Sequence, residues 1–362
     1  MTSFEEIRIK NFRNISDAHL KIVGKDIVLI GINGQGKTNF LEAVYTLCFG
    51  SSFKTLFLKE CVKHGESGFV LEGKFRNEYG ELQTIRHVFE GGKRYIEIDG
   101  KEIRDRKELI SQFPSIVFCH EDIDFIKGDP ETRRKFFNQM MSLSTPLFID
   151  QLRIYKNILS KRNASIKTEN YSLLPIYNEK LAHVGFEIIQ ERQKAVDEFN
   201  SLFPSLYAKV SGGKDDVFIS YQPSWNGVES EEDIVRILED TVDRDIKMQT
   251  TTSGIHRDRF VVRDSNGIFS QTGSTGQIRL CSLLFRIAEA RSFEKATGRK
   301  PILLLDDVLL ELDDRKRSLF LEEMSNYSQA FYTFLPRESY FSDEGKKPVS
   351  YEVKDGTFTE LQ

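Results

Sequence analysis

"GINGQGKT", residues 31–38, is the stretch on which the reading of this chain turns. It has the form G-x-x-x-x-G-K-[ST]. It follows the apolar run DIVLI and precedes NFLEAVYTLCF, whose spacing predicts a helix. Strand, glycine loop and helix start in that order make a phosphate cradle. Glycines let successive N–H groups curl around phosphate oxygens, and the helix start adds about half a positive charge. The pattern assigns Gly31, Ile32, Asn33, Gly34, Gln35, Gly36, Lys37 and Thr38 to a nucleoside triphosphate. Lys37 is expected on the β- and γ-phosphates, and the Thr38 hydroxyl on Mg²⁺.

A second stretch, KPILLLDDVLLELDD at 300–314, is an apolar strand ending in Asp306 and Asp307. By itself this reads equally as a core strand followed by an aspartate cap. Downstream of a phosphate loop it reads as the metal and water half of the same site. Asp306 is then expected to hold Mg²⁺, and Asp307 to orient or deprotonate the attacking water.

The two stretches lie near opposite ends of the chain. A compact GTPase or nucleotide kinase places them closer together. ATPases of the ABC type carry insertions between them and a third motif shortly before the aspartate strand, of the type Ser-x-Gly-Gln. GSTGQIRLCSLLF, residues 273–285, supplies Ser274, Gly276 and Gln277 there. Read locally, Ser274 and Gln277 are a capping box worth about 1 kcal/mol to a helix.

Composition narrows the class. The chain has 362 residues, 39% hydrophobic and 29% charged, which fits a globular fold of two or three domains. The start MTSFEEIRIK has charges where a signal peptide needs an apolar core, and no apolar run approaches the roughly 18 residues of a membrane span. Four cysteines without a Cys-x-x-Cys pair, and six histidines without ligand spacing, point to the cytoplasm and to no structural zinc. A net charge of −4 argues against a wholly basic coat protein but leaves room for a local basic patch.

Along the chain, alternating runs predict strands in the first third. Gly91-Gly92 and Asp99-Gly100 mark the turns of a meander. From Asp129 to about Asp245 the period becomes helical. Strands return with DVFISYQP, and SYEVKDGTFTEL reads as a hairpin around Asp355-Gly356. The expected plan is an α/β fold in three segments: 1–128, 129–245 and 246–362.

Several further stretches occur in one order: IKNFRNI, GINGQGKTNFLEAVYTLCFGSSFKT, FIKGDPETRRKFFNQ, LRIYKNILSKRNASIK, GIHRDRF, GSTGQIR and LLLDDVLLELD. Together they resemble the RecF family, bacterial recombinational repair ATPases of the ABC/SMC class. The resemblance implies an ABC-type ATPase head formed from both chain ends, with an inserted mainly helical lobe. It implies ATP and Mg²⁺ as cofactors and DNA binding without sequence specificity. It further implies an ATP-dependent homodimer, and a role with RecO and RecR in helping RecA load at gapped DNA. In such a dimer Ser274, Gly276 and Gln277 would meet the nucleotide of the other copy.

Some positions depart from the family pattern. Ile255 stands where proline is common, Arg259 where an acid is common, and Leu310 where the D-loop has serine. FNQ replaces the usual Phe-Leu-Asp after the paired arginines. YTFLP, residues 332–336, lacks the usual threonines after the last core strand and offers no switch histidine. Asp307, where many ABC ATPases have glutamate, has a shorter reach, so slow turnover is expected. The competing readings are an ABC-type subunit coupling ATP to a membrane partner, and an ATP-binding scaffold that never hydrolyses. The first would ordinarily show a Leu-Ser-Gly-Gly-Gln signature and a switch histidine. The strand-end aspartates argue against the second.

Between Thr132 and Lys167 eight basic residues face Asp150 alone. Arg133, Arg134, Arg153, Lys156, Lys161 and Arg162 are therefore candidates for a phosphate-tracking face. A plain solvated helix surface, or pairing with the acidic stretch 229–245, accounts for the same pattern. His256 and Arg257 could contact nucleotide or brace the signature helix, and Arg13 could approach the phosphates.

Overall fold

The structure is a computed structural model. It describes residues 2–213, 216–324, 326–336 and 348–361, without the side chain of Glu311. The chain divides into two compact units: Met1–Glu121 with Phe293–Gln362, and Asp122–Ser292.

Two sheets organise the first unit. One is built on short strands in the order Thr357–Leu361, Val349–Lys354, Asp26–Ile30, Gln329–Phe334, Ile302–Leu305 and Ser115–Phe118. Every neighbour is parallel except the C-terminal hairpin. Ile302–Leu305, Gln329–Phe334 and Ser115–Phe118 are buried throughout, as strands covered on both faces must be.

The other sheet is the expected meander. Ile15–Lys21, Ser3–Phe12, Gly68–Arg76, Leu82–Glu90, Lys93–Ile98 and Lys101–Glu102 lie side by side, all antiparallel. Its turns at Gly91-Gly92 and Asp99-Gly100 have positive φ at both central residues, the geometry that matches strand twist. Alternate residues such as Ile85, Phe89, Ile96 and Ile98 join one apolar cluster with Ile27, Leu304 and Phe331 of the parallel sheet.

Helix Lys37–Phe49 fills that cluster and is buried on nearly every side, which explains why it reads as apolar rather than amphipathic. The buried Gln329 amide spends its polar groups on Phe4: its oxygen accepts the Phe4 N–H at 2.9 Å and its nitrogen donates to the Phe4 carbonyl at 3.0 Å. A core strand can thus carry a polar side chain without an unpaired group.

Helices dominate the second unit, chief among them Pro130–Ser144, Leu147–Lys167 and Leu174–Asn200. A three-stranded sheet accompanies them, ordered Gly267–Ile268, Arg259–Asp264, Phe218–Gln222. The units do not divide where the sequence places its boundaries, near 128 and 245. Residues 246–292 group with the helical segment because Arg259–Asp264 pairs with Phe218–Gln222, and Phe285 packs on Phe136, Phe199 and Phe203. The sequence periodicity reported helices ending and strands returning, but it could not report which partner those strands take. Among the described residues, no helix is long and apolar enough to cross a membrane.

Candidate functional site

The phosphate loop leaves the end of strand Asp26–Ile30, the third strand of the parallel sheet. Two of its glycines are sterically required. A Cβ on Gly31 would lie 2.5 Å from the Val353 carbonyl oxygen. Gly36 has φ of +116°, and a Cβ there would meet the Asn14 side chain at 2.9 Å. Gly36 is also the N-cap of helix Lys37–Phe49, with no side chain capping it and no acid in the first turn. Its first N–H groups are therefore free of the side-chain oxygen that most helix starts supply. These features suit a phosphate.

Lys37 is only 2% exposed. Its Nζ donates to the Gly31 carbonyl at 2.5 Å and lies 3.9 Å from Asp307 Oδ2. The loop is braced from residues the motif does not include. Asn39 donates to Asn14 Oδ1 at 2.8 Å. The turn of the C-terminal hairpin holds Gln35: Asp355 N–H donates to its side-chain oxygen at 2.7 Å, and Gly356 N–H to its carbonyl at 2.8 Å. Ile32, by contrast, is well exposed.

Asp306 and Asp307 follow strand Ile302–Leu305, two strands from the loop. The Thr38 hydroxyl donates to Asp306 Oδ1 at 2.7 Å, joining residues 268 positions apart. Burial raises the Asp306 carboxyl above its ordinary range, and the Thr38 hydrogen bond pulls it back. Asp307 adopts the left-handed backbone, φ +53°, which a β-substituted residue enters at a cost.

Thr333, buried in strand Gln329–Phe334, holds that conformation. Its Oγ1 accepts the Asp307 N–H at 2.8 Å and lies 2.9 Å from Asp307 Oδ1 and 3.2 Å from Asp306 Oδ1. A hydroxyl has one proton, so it donates to one carboxylate at a time. YTFLP lacks the usual threonines beyond the strand, but the threonine inside it places its hydroxyl within reach of both aspartates. The available signal was a polar residue within an otherwise apolar core run.

Arg13 is turned away from the role suggested for it. Its guanidinium forks onto the fully buried Glu42 of helix Lys37–Phe49, at 2.9 and 2.7 Å, and donates to the Glu60 carbonyl at 2.6 Å. Ser52 donates to the same carboxylate at 2.5 Å. Arg13 therefore fastens the helix behind the loop, because Glu42 could not be buried without a cation.

In the second unit, Ser274 caps the 23-residue helix Thr275–Thr297. Gln277 N–H donates to Ser274 Oγ at 3.3 Å, and Ser274 N–H donates to Gln277 Oε1 at 2.8 Å. The capping box is present in both directions. Ser274, Gly276 and Gln277 are all exposed, and nothing lies within 4 Å of where a Gly276 Cβ would stand.

The six basic candidates separate into three groups. Arg162 is wholly buried, donating to Asp245 Oδ2 at 2.6 Å, Thr251 Oγ1 at 2.8 Å and Asn178 Oδ1 at 2.8 Å; it cannot face a polyanion. Arg133 and Arg134 are half-buried. The first donates to the carbonyls of Gly128 and Phe260, the second to that of Asp258. Arg153, Lys156 and Lys161 are exposed on helix Leu147–Lys167, with Arg153 3.3 Å from Asp150.

His256 and Arg257 also part. His256 Nε2 donates to the Thr251 carbonyl at 3.2 Å, so Nδ1 is the acceptor for Tyr155 OH at 3.1 Å. Burial pushes its pKa down to about 4, with Arg257 and Arg134 adding repulsion. His256 is thus a neutral brace of its loop, and Arg257 is exposed.

The pattern of the RecF/RecN/SMC N-terminal domain matches residues 3–351. The DNA replication and repair protein RecF of Treponema pallidum (strain Nichols) is 38% identical over 348 residues, covering 96% of this chain and 98% of the relative. The protein of the same name from Leptospira interrogans (serovar copenhageni) is 31% identical over 346 residues, covering 94% of each. A solved structure described as the recombination mediator protein RecF with ATP in the RecFOR pathway superposes with a TM-score of 0.90. It is 28% identical and covers 100% of this chain and 98% of its own. An SMC head bound to the C-winged helix domain of ScpA shares the fold, with a TM-score of 0.59 at 16% identity. Loop, strand-end aspartates and capped helix stand in an ABC-type α/β fold, matched over nearly its full length: this chain belongs to the RecF family.

Proposed function

We propose that this chain is an ATP-dependent DNA-binding protein of recombinational repair, in which ATP closes a head-to-tail dimer on DNA and slow hydrolysis reopens it. The observation that carries the reading is the Thr38–Asp306 hydrogen bond, which brings the two ends of the chain to one point beside Lys37. A hydroxyl and a carboxylate that close, next to a helix start without a side-chain cap, fit Mg²⁺ and a triphosphate. Thr38 and Asp306 would hold the metal, which when bound neutralises charge on the phosphate oxygens.

Residues Gly31 to Thr38 cradle the phosphates, with Lys37 as the cation on the β- and γ-groups. Asp307, kept in place by Thr333, orients the attacking water. Ser274, Gly276 and Gln277 present an open helix start to the nucleotide of the second copy, where a glycine without neighbours admits close approach. Arg153, Lys156 and Lys161 add exposed positive charge for a DNA backbone. In the RecFOR setting named for its structural relative, such a dimer assists RecA loading at gaps with RecO and RecR, in the cytoplasm.

A sizing run with and without ATP·Mg²⁺ tests the reading. Wild-type protein is expected to shift to a dimer with ATP and to bind duplex DNA in that form. Ser274→Ala is expected to bind ATP and stay monomeric. A wild-type chain that remains monomeric with ATP and ignores DNA sinks the proposal. Phosphate release faster than about 10 s⁻¹, the typical enzyme rate, removes the slow-switch part alone.

A further inference from the structure

Two adjoining cavities lie within the unit Asp122–Ser292. The larger, about 550 Å³, is lined by Arg244, Arg257 and Arg259 with the hydroxyl residues Ser224, Thr250 and Thr252. The smaller, about 340 Å³, is lined by Arg133, Arg259 and Arg263, with Ser270 and Gln271. Gln222 and Arg259 line both, so the two are one groove. Among the described residues no carboxylate lines either part.

The local sequence explains how the charge is left over. Arg244 precedes Asp245, and Asp258 stands between Arg257 and Arg259. Both aspartates are wholly buried and already engaged. Asp245 takes Arg162 and Thr252; Asp258 takes Arg192 at 2.6 Å, Tyr221 at 2.5 Å and the Ser224 N–H at 2.8 Å. The acids turn inward to interior arginines, and Arg244, Arg257 and Arg259 are left exposed without an acidic partner among the described residues. Their charges act on their neighbours. After burial, which is the larger cause, Arg259 opposes the support that Asp129 gives the Arg133 proton, and Arg257 adds weakly to Arg192 in loosening that of Arg134.

We propose that this groove binds successive phosphates of a nucleic-acid backbone. The proposal deepens the DNA-binding reading above and rests on it. Guanidinium forks match phosphate oxygens two at a time, and the Ser224 and Thr250 hydroxyls suit the same acceptors, while Thr252 spends its proton on Asp245. A groove with five arginines along two connected cavities suits a row of phosphates better than a single anion. No aromatic ring lines the larger cavity, and Phe260, which lines the smaller, is buried, so bases have no exposed stacking platform and the contact is blind to sequence. An acidic protein segment would match the charge, but such interfaces draw their affinity from buried aromatic and apolar anchors, and the apolar lining of the larger cavity is limited to Pro223 and the exposed Met248.

The test uses the full chain with ATP·Mg²⁺ and a fluorescein-labelled duplex of arbitrary sequence, read by anisotropy between 50 and 200 mM salt. Arg257→Ala/Arg259→Ala is compared with Lys180→Ala/Lys194→Ala, an equal change of charge on exposed lysines of helix Leu174–Asn200. The groove variant should lose about tenfold or more in affinity, and its slope of log K against log salt should shrink by roughly 2, about 0.9 for each phosphate contact. The lysine variant should change neither. Arg257→Lys/Arg259→Lys should keep most of the slope and lose part of the affinity. Groove and lysine variants that bind alike, while wild type binds well, overturn the groove and leave the DNA-binding reading intact. Wild-type protein that ignores the duplex ends both. If it then binds polyglutamate through the same arginines, the occupant is an acidic protein and the assignment to nucleic acid is wrong. Unchanged circular dichroism and melting temperature show that the variants are folded.

Discussion

Lys37 in the first unit and Arg257 in the second are both proposed to meet phosphate, and the chain surrounds them in opposite ways. Lys37 is buried and rests on the Gly31 carbonyl and near Asp307. Arg257 is exposed among other guanidiniums, and the nearest aspartate in sequence, Asp258, is taken by Arg192. A cation held by its own chain is little affected by salt; a cluster of uncompensated charge at the surface is strongly screened. The nucleotide corner should therefore bind with modest salt dependence, and the groove with steep dependence. Position in the fold, more than residue type, decides what a basic side chain does here.

The contrast can be pressed hardest at two consecutive cations. Arg162→Ala should cost about 3–5 kcal/mol, because Asp245 is left buried without its partner. Lys161→Ala, on the exposed side of the same turn, should stay within about 0.5 kcal/mol. Urea unfolding of both variants decides, and equal costs would break the distinction.

Lys37→Ala comes next. Losing a buried cation should weaken ATP binding by about 30-fold or more, equivalent to at least about 2 kcal/mol. Calorimetric titration at two salt concentrations would show whether the loss is insensitive to salt, as the comparison requires.

Between the buried and exposed arginines lies His256, whose titration probes how much further positive charge the second unit tolerates. Its pKa falls to about 4 in the fold, against an ordinary 6.5 in the unfolded chain. Between those values the unfolded chain binds more protons, so stability rises with pH through the window and levels off above about 6.5. Lowering the pH from 6.5 to 4 in steps at fixed temperature should lose about 2.5 kcal/mol on this account, and His256→Asn should flatten that part of the profile. A parallel profile in the variant would show that the loss lies elsewhere, for example at the buried His87, pushed down to about 3.

The smallest effect concerns placement alone. Thr333→Val keeps the volume and removes the hydroxyl that holds Asp307. Turnover should fall about tenfold with nucleotide affinity nearly unchanged, and Thr333→Ser should restore most of it. Equal losses in affinity and turnover would mean that Thr333 supports the whole corner and does not specifically place Asp307.

Much of the site was legible because its constraints are local. A loop that must approach phosphate needs glycine at Gly31 and Gly36, and a capping box needs only Ser274 and Gln277 three residues apart. Asp306 and Asp307 announce themselves by ending an apolar run. Thr333 did not, because its hydroxyl reaches the aspartates only when Gln329–Phe334 pairs beside Ile302–Leu305. Nor did the fastening of Arg13 to Glu42, or the division of the units near residues 121 and 292. The charge pattern marked the basic stretch 132–167 but not which of its members was spent indoors, and it passed over the arginines of the groove.

By itself, then, the amino-acid order determined the strand–loop–helix cradle, the aspartate strand, the meander and the helix cap, since each depends on backbone geometry within a few neighbouring residues. Tertiary structure decided which charges are free. Arg162 finds Asp245 83 positions away and Arg192 finds Asp258 66 positions away, and each pairing leaves the adjacent Arg244, Arg257 and Arg259 outside. Burying a carboxylate demands a cation, and no local rule says which cation the fold will bring.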